Sequence, residues 1–431
     1  MRILWICQKL PPEADALIGG DPELKSTGGW IVGMAGELTK DKSIKLAIVA
    51  ASSLVNSVKV VHGTCITYFI LPFAKSEKDQ GFIRNCRVIK ATFNPDVVHI
   101  HGTEYLESLL WVHANGVEHT VVSLQGIMKA CCQYYYSGMS QWDVLSSITP
   151  RDLYRGTIFS KAHDFQCKAQ YEQQLLQQVK HVIGRTTWDK TLLWSMNPNV
   201  EYHFNNEILR EEFYDNSVWR YSECEKHSIF VSQASVPYKG LHQLVKALPR
   251  IKEQYPDVMV RVAGFNVCEK SFKRKLFREG YGRYLLKLLR KFNCHNNIEF
   301  LGPLNSQKMK KELLSANLFL LPSSIDNSPN ALCEAQMLGV PCVASRVGGV
   351  ADLITDDDLG KMYRFSDVSE LAYAVCSTFD ISSSFDNKRM REVAAQRHDK
   401  KKNVSDLVEI YYGQMTVCVW HVSNAIHKRY I

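Results

Sequence analysis

The sequence contains no run of about eighteen apolar residues, so no transmembrane helix is expected. It has no low-complexity tract, long block of like charge or internal repeat, which argues against fibrous, solenoid and disordered classes. Its 13 cysteines include no C-x-x-C pair, and Cys131 and Cys132 are adjacent. Free thiols in a reducing cytoplasm are therefore expected, and a zinc site is not. The opening MRILWICQKLPPEAD holds an apolar run of about six residues, shorter than the roughly 7–15 of a secretory signal, so it reads as a first strand. No G-x-G-x-x-G follows that strand and no Walker A loop occurs, which removes support for a dinucleotide dehydrogenase or a P-loop nucleotidase.

What is present is globular. At 431 residues, with 45% hydrophobic and 22% charged, the chain predicts two domains. Short, nearly continuous apolar runs alternate with amphipathic stretches, the pattern of buried parallel strands with crossover helices. In the first half the expected strands are Arg2–Cys7, Lys45–Ala51, 65–71, Val97–His101, 120–124, 181–183 and 200–204, with a helix over 28–39. The second half repeats the scheme at 228–232, Met259–Ala263, 298–301, 318–321 and Cys342–Ser345. The polar stretch 207–226 is the expected linker. The reading is thus an α/β chain with a first domain over 1–215, a second over 216–398, and a helical C-terminal segment over 399–431 that packs back toward the first domain. Two doubly wound parallel sheets place ligands at the carboxyl ends of their strands, in a cleft between the domains.

The net charge of +8 is concentrated between Lys270 and Lys291, where nine basic residues face one acid, Glu279. Tyr284, Leu285, Leu288, Leu289 and Phe292 follow helical spacing there. Two readings stand: a solvated helix packed on its own domain, or a basic face held near anionic lipid headgroups. No recognised motif links the charge to nucleic acid, so none is expected as a partner.

The most informative segment runs from Leu320 to Ser345 and on to Gly348-Gly349. A buried strand ends at Pro322 and a polar loop follows. Ser328 is the expected N-cap and Pro329 the first residue of a helix that stops at Gly339. The helix N-terminus, at Ser328, Asn330 and Ala331, suits a diphosphate. Glu334, inside that helix, suits a ribose diol. Asp356-Asp357-Asp358, beside Gly360, reads as a solvated turn.

The segment resembles the donor-binding signature of the retaining glycosyltransferases of family four, the group 1 enzymes of GT-B fold. That signature is Glu, seven residues, Glu, a small-residue-rich helix, Gly-x-Pro-Val and a Gly-Gly turn. Here the second acid is Glu334, followed by Gly339-Val-Pro341 and Gly348-Gly349; the first is Asp326, one methylene shorter than usual. The resemblance implies two facing Rossmann-like domains, ribose binding by Glu334, and Asp326 near the donor sugar. A second match is Phe230 to His242, where Lys239-Gly240 opens a helix; the resemblance gives Lys239 the donor diphosphate and the departing charge, with no metal or other cofactor. The family usually has an Arg where this chain has Gln233. Weaker matches are Gly28-Gly29 at the first helix, near donor and acceptor, and His101 at the end of a strand, as a donor-sugar or acceptor contact. Gly28-Gly29 also reads as a simple helix start, and His101 as a structural histidine. Arg185 reads equally as an anion contact or a salt bridge.

The expected activity is transfer of a hexose-type unit from a nucleoside diphosphate sugar, with UDP favoured, to a saccharide or lipid-linked saccharide acceptor. Surface polysaccharide or glycoconjugate synthesis is the expected setting, at the inner membrane face. The alternatives are a catalytically silent binding subunit of the same fold and a nucleotide-sugar epimerase.

Overall fold

The computed structural model describes residues 1–20, 29–268 and 279–427, with side chains through residue 415. The chain forms two compact units. The first comprises Met1–Met128, Lys168–Ile208 and the residues from His398 onward; the second comprises Lys129–Cys167 and Leu209–Arg397.

The first unit is built on an eight-stranded sheet. Its strands are β1 (Arg2–Cys7), β2 (Lys45–Ala51), β3 (Lys59–His62), β4 (Ile66–Leu71), β5 (Val97–His101), β6 (Thr120–Ser123), β7 (His181–Gly184) and β8 (Glu201–Phe204). The order is β3-β4-β2-β1-β5-β6-β7-β8. Every pairing is parallel except β3 with β4. The central strands are apolar on both faces because helices cover both, and Ile3, Leu4 and Trp5 have no exposed surface. The helix Gln80–Phe93 shows how such a cover is specified. Asp79 caps its start by accepting from the Phe82 amide at 3.0 Å, Asn94 ends it at φ 46°, and Phe82, Ile83, Cys86 and Ile89 form its buried stripe. Strand β3 escaped the sequence reading because it is an exposed edge strand without an apolar run.

The C-terminal helix Lys400–His427 belongs to this unit. Its Tyr411 is fully buried; the hydroxyl accepts from Trp5 Nε1 at 3.0 Å and lies 2.6 Å from His99 Nδ1. His99 in turn meets the Ser123 hydroxyl through Nε2 at 2.7 Å. One phenol thus joins the helix to two central strands.

The second unit has six parallel strands, β9 (Glu225–Val231), β10 (Met259–Ala263), β11 (Ile298–Gly302), β12 (Ala316–Leu321), β13 (Cys342–Ser345) and β14 (Lys361–Tyr363). Their order is β11-β10-β9-β12-β13-β14. The chain leaves β9 toward β10 on one side and returns at β12 on the other, so the topological switch point lies between β9 and β12. The segment Lys129–Cys167 is stitched onto this unit. Buried His242 reaches the Ser137 carbonyl at 2.8 Å and the Tyr281 hydroxyl at 3.1 Å, and Gly280 donates its amide to Asp152 at 3.2 Å. The stretch expected as a polar linker is packed rather than loose. Trp219 is 3% exposed, and its indole N–H donates to the Ala316 carbonyl at 2.7 Å.

Replacing Tyr411 with Phe leaves the Trp5 and His99 nitrogens buried without their shared partner, which costs about 1–3 kcal/mol. Urea unfolding of the full chain followed by Trp fluorescence checks this; an unchanged midpoint contradicts it.

Candidate functional site

The loops after β9, β12 and β13 converge at the switch point, and backbone contacts fix them before any side chain is considered. The residue after Lys239 is Gly240, at φ 73°; a Cβ there would stand 1.7 Å from the Pro322 carbonyl oxygen, where β12 ends. After β13, Gly348 is at φ 52°, and its Cβ would stand 1.9 Å from the Asp326 carbonyl oxygen. Gly349 donates its amide to that same oxygen at 3.1 Å. The Gly-Gly turn therefore props the β12 loop from below, and Lys239-Gly240 closes on it from the side. The Ser324 hydroxyl adds hydrogen bonds to the carbonyls of Tyr134, at 2.9 Å, and Tyr238, at 3.2 Å.

This framework brings Lys239 and Asp326 together. Lys239 Nζ donates to Asp326 Oδ2 at 2.7 Å, with both side chains under a fifth exposed. Burial works to lower the lysine's pKa, but the Asp326 charge and hydrogen bond outweigh it and hold the ammonium above its ordinary range. The site thus carries a fixed cation at neutral pH.

Glu334 is not an open acid. It is 3% exposed and forms a bidentate pair with Arg210, Nε to Oε1 and Nη2 to Oε2, both at 2.7 Å. Burial raises its pKa, while the Arg210 hydrogen bonds and charge pull the other way. A carboxylate has about four lone-pair sites, and Arg210 uses two, so two remain for hydroxyl donors. Arg210 had no sequence signal: it lies far from Glu334 in the chain, in an irregular stretch.

The helix after β12 starts later than its sequence suggests. It runs Asn330–Leu338, with Pro329 rather than Ser328 at the N-cap and no side-chain cap. Pro329 has an extended ψ of 109°, and its carbonyl accepts from the amides of Leu332 and Cys333, at 3.0 and 3.2 Å, so it stands just outside the helix. Ser328 is buried two residues ahead, while Asn330 and Ala331 open the first turn. Gln233, the neutral substitute, is exposed. The acidic triplet forms a surface turn in which Arg389 pairs with Asp356 at 2.8 Å and Asp358 at 2.6 Å.

The remaining site candidates lie in the first unit. Gly29 is the first residue of the helix Gly29–Leu38; Gly28 lies outside the described residues. His101 ends β5 and is 5% exposed, its ring 3.8 Å from that of His99 and 4.5 Å from that of Trp5. Neither ring nitrogen has a hydrogen-bond partner among the described residues. His101 lines a cavity of about 30 Å³, together with Trp30, Ser123, Arg185, Asn206 and Glu207 among others, with space for a water or two. Arg185 takes the salt-bridge role, pairing with Glu207 at 2.7 Å.

Burial lowers the pKa of His101 to about 3 and holds His99 well below its usual range. Both are neutral when folded, whereas unfolded imidazoles take up protons below about pH 6.5. Their contribution to stability is therefore complete above that pH and is lost as pH falls, at up to about 1.4 kcal/mol per pH unit for each histidine. Thermal unfolding between pH 7 and 5 should show a destabilisation that His101→Gln reduces by about one proton's worth. An identical pH slope in the variant contradicts this.

Residues 220–409 match the family described as Glycosyl transferases group 1. Among curated proteins, the GDP-mannose-dependent monoacylated alpha-(1-6)-phosphatidylinositol monomannoside mannosyltransferase of Corynebacterium glutamicum is 26% identical over 152 residues, covering 34% of this chain and 36% of that protein. The chain thus spans little more than a third of this relative's length in the match. Among solved structures, sucrose-phosphate synthase from Thermosynechococcus elongatus is similar with a TM-score of 0.71 at 14% identity, covering 97% of this chain and 100% of that one. Anabaena HepE in complex with UDP and glucose is similar with a TM-score of 0.64 at 14% identity, covering 95% and 99%.

Proposed function

We propose that this chain, which belongs through residues 220–409 to the group 1 glycosyltransferases and has the GT-B fold, transfers a sugar from a nucleoside diphosphate sugar to an acceptor hydroxyl. The observation that carries the reading is the Lys239–Asp326 pair at the switch point of the second sheet, next to the start of the helix Asn330–Leu338.

In this reading the donor diphosphate takes the Lys239 ammonium and the amides at Asn330 and Ala331. As the sugar–phosphate bond breaks, negative charge grows on the diphosphate, and a cation already in place stabilises that charge without reorganising. Lys239 performs this task in place of a metal. Asp326, released from part of its pairing with Lys239 by the phosphates, turns its carboxylate to the sugar hydroxyls. The ribose hydroxyls donate to the two lone-pair sites of Glu334 that Arg210 leaves open. The sugar keeps its anomeric configuration, with departure and attack on one face and the leaving phosphate taking the acceptor proton. UDP is the favoured donor nucleotide, supported by UDP in the similar HepE structure; the GDP-mannose-dependent relative makes GDP the competitor.

The acceptor is a saccharide, held on a lipid carrier at a membrane surface. Support comes from one face of the second unit. Trp142, Leu153 and Tyr154 are 75%, 78% and 88% exposed. Beside them runs the basic helix Gly280–Lys291, amphipathic as its sequence suggests, with Tyr284, Leu285, Leu288 and Leu289 buried and Arg283, Lys287, Arg290 and Lys291 exposed. Lys287 and Arg283 donate to the carbonyls of Ser146, at 2.6 Å, and Ile148, at 2.8 Å, which sets the cations among the exposed apolar groups. Aromatic and basic side chains interleaved in this way suit an anionic bilayer. No helix among the described residues is long and apolar enough to cross a membrane.

Calorimetric titration of UDP and GDP into wild-type protein, Lys239→Ala and Glu334→Gln tests the donor site. One nucleotide should bind in the micromolar range and weaken at least tenfold in each variant, about 1.4 kcal/mol. Equal binding by all three proteins contradicts the site; binding without turnover in the presence of saccharide acceptors favours a silent donor-binding subunit. In a separate assay, the protein should sediment with phosphatidylserine-containing vesicles and not with phosphatidylcholine alone. Trp142→Ala/Tyr154→Ala should lower the bound fraction severalfold, and an unchanged fraction removes the membrane surface from the account.

A further inference from the structure

At the outer edge of the first sheet, β7 and β8 run parallel with His181 opposite Glu201 and Ile183 opposite His203. Glu201 and His203 are two residues apart on one strand and share a face, so three side chains of metal-ligand type converge. His181 Nδ1 lies 3.1 Å from His203 Nε2; Glu201 carboxylate oxygens lie 3.4 Å from the first and 3.7 Å from the second. The imidazoles are nearly parallel, with ring planes 21° apart.

Hydrogen bonding alone accounts poorly for this arrangement. Two facing imidazole nitrogens at 3.1 Å cannot both carry a proton, so at most one proton lies between them. That proton, shared along the nitrogen–nitrogen line, leaves the carboxylate beyond good hydrogen-bond distance of either ring. Three lone-pair donors, one of them an anion, thus converge on one point. The distances suit a metal ion at that point. A tetrahedral ion bound at 2.0–2.1 Å by nitrogen and oxygen sets its ligand atoms about 3.3 Å apart, in the middle of the observed range.

We propose that His181, Glu201 and His203 form a binding site for a divalent transition metal ion of the zinc type, with solvent completing the coordination. Two imidazoles and one carboxylate favour zinc, nickel or copper over magnesium or calcium. Glu201, its side chain 66% exposed, provides the entry path. The site uses no cysteine, so the lack of cysteine pairs does not bear on it. The ion would tie the edge strand β8 to β7. β8 leads directly into Asn205, Asn206 and Glu207, and Glu207 is the ion-pair partner of Arg185 in the cavity beside His101. The tie therefore steadies one wall of that cavity. The proposal does not rest on the glycosyl-transfer reading.

Full-length protein stripped with a chelator and titrated with Co²⁺ tests it. The expected result is one equivalent bound, with visible absorption of low-symmetry Co²⁺ and without the thiolate charge-transfer band that the cysteines would give. Zn²⁺ should displace the Co²⁺ and raise the unfolding temperature. Glu201→Gln and His203→Ala should each weaken Co²⁺ binding at least tenfold and abolish the Zn²⁺-dependent rise. Glu201→Gln changes an exposed carboxylate and keeps the fold, so the test survives a misfolded histidine variant. Absence of stoichiometric Co²⁺ uptake by wild type, or uptake unchanged in folded Glu201→Gln, overturns the proposal.

Discussion

The second unit depends on a contact between backbones: Gly240 against the carbonyl of Pro322, and Gly348 against the carbonyl of Asp326. No side chain fits at either point, and both glycines have positive φ. The consequence is electrostatic. With the three loops locked together, Lys239 and Asp326 face each other at 2.7 Å with little freedom, so the cation is in position before any ligand arrives. A charge fixed in advance by the fold is more useful to a developing anion than one that must be reoriented, because the cost of arranging it has been met during folding.

The same unit holds a second ion pair with a different role. Arg210 is about as exposed as Lys239, but its partner Glu334 lies deeper than Asp326, with the carboxylate almost completely removed from solvent. Breaking such a pair from one side leaves an uncompensated buried charge and costs about 3–5 kcal/mol. Arg210 therefore holds the Glu334 carboxyl in place through two hydrogen bonds, leaving its other lone pairs able to accept further ones. In the first unit, neutral His99 is satisfied by Tyr411 and Ser123, while His101, two residues on and on the same face, has neither nitrogen partnered among the described residues. That contrast separates a histidine that holds the fold from one whose hydrogen-bonding capacity is unused.

Much of the sheet framework was legible in the sequence because buried parallel strands leave continuous apolar runs. β1, β2, β5, β10 and β13 have the bounds their runs indicate. Strands without such runs were not legible: β3 is exposed, and β14 has three residues. Motif spacing located the Lys239 and Asp326 loops, since glycines required by close approach stand beside them. It did not reveal Arg210, whose meeting with Glu334 is purely tertiary, nor the membership of Lys129–Cys167 in the second unit. The helix start was misread by a residue because Ser-Pro is a common entry signal, whereas here proline itself occupies the cap. The His181–Glu201–His203 cluster was invisible for a related reason: its ligands come from two strands whose pairing no local pattern declares.

The central claim is that Lys239 meets the diphosphate of a nucleotide sugar. A crystal structure of the protein with bound UDP or GDP tests it most directly. The account predicts phosphate oxygens within hydrogen-bond distance of Lys239 Nζ and of the first amides of the helix at Asn330, with the ribose hydroxyls on Glu334. A nucleotide bound elsewhere, or one whose phosphates leave the Lys239–Asp326 pair undisturbed, would contradict it.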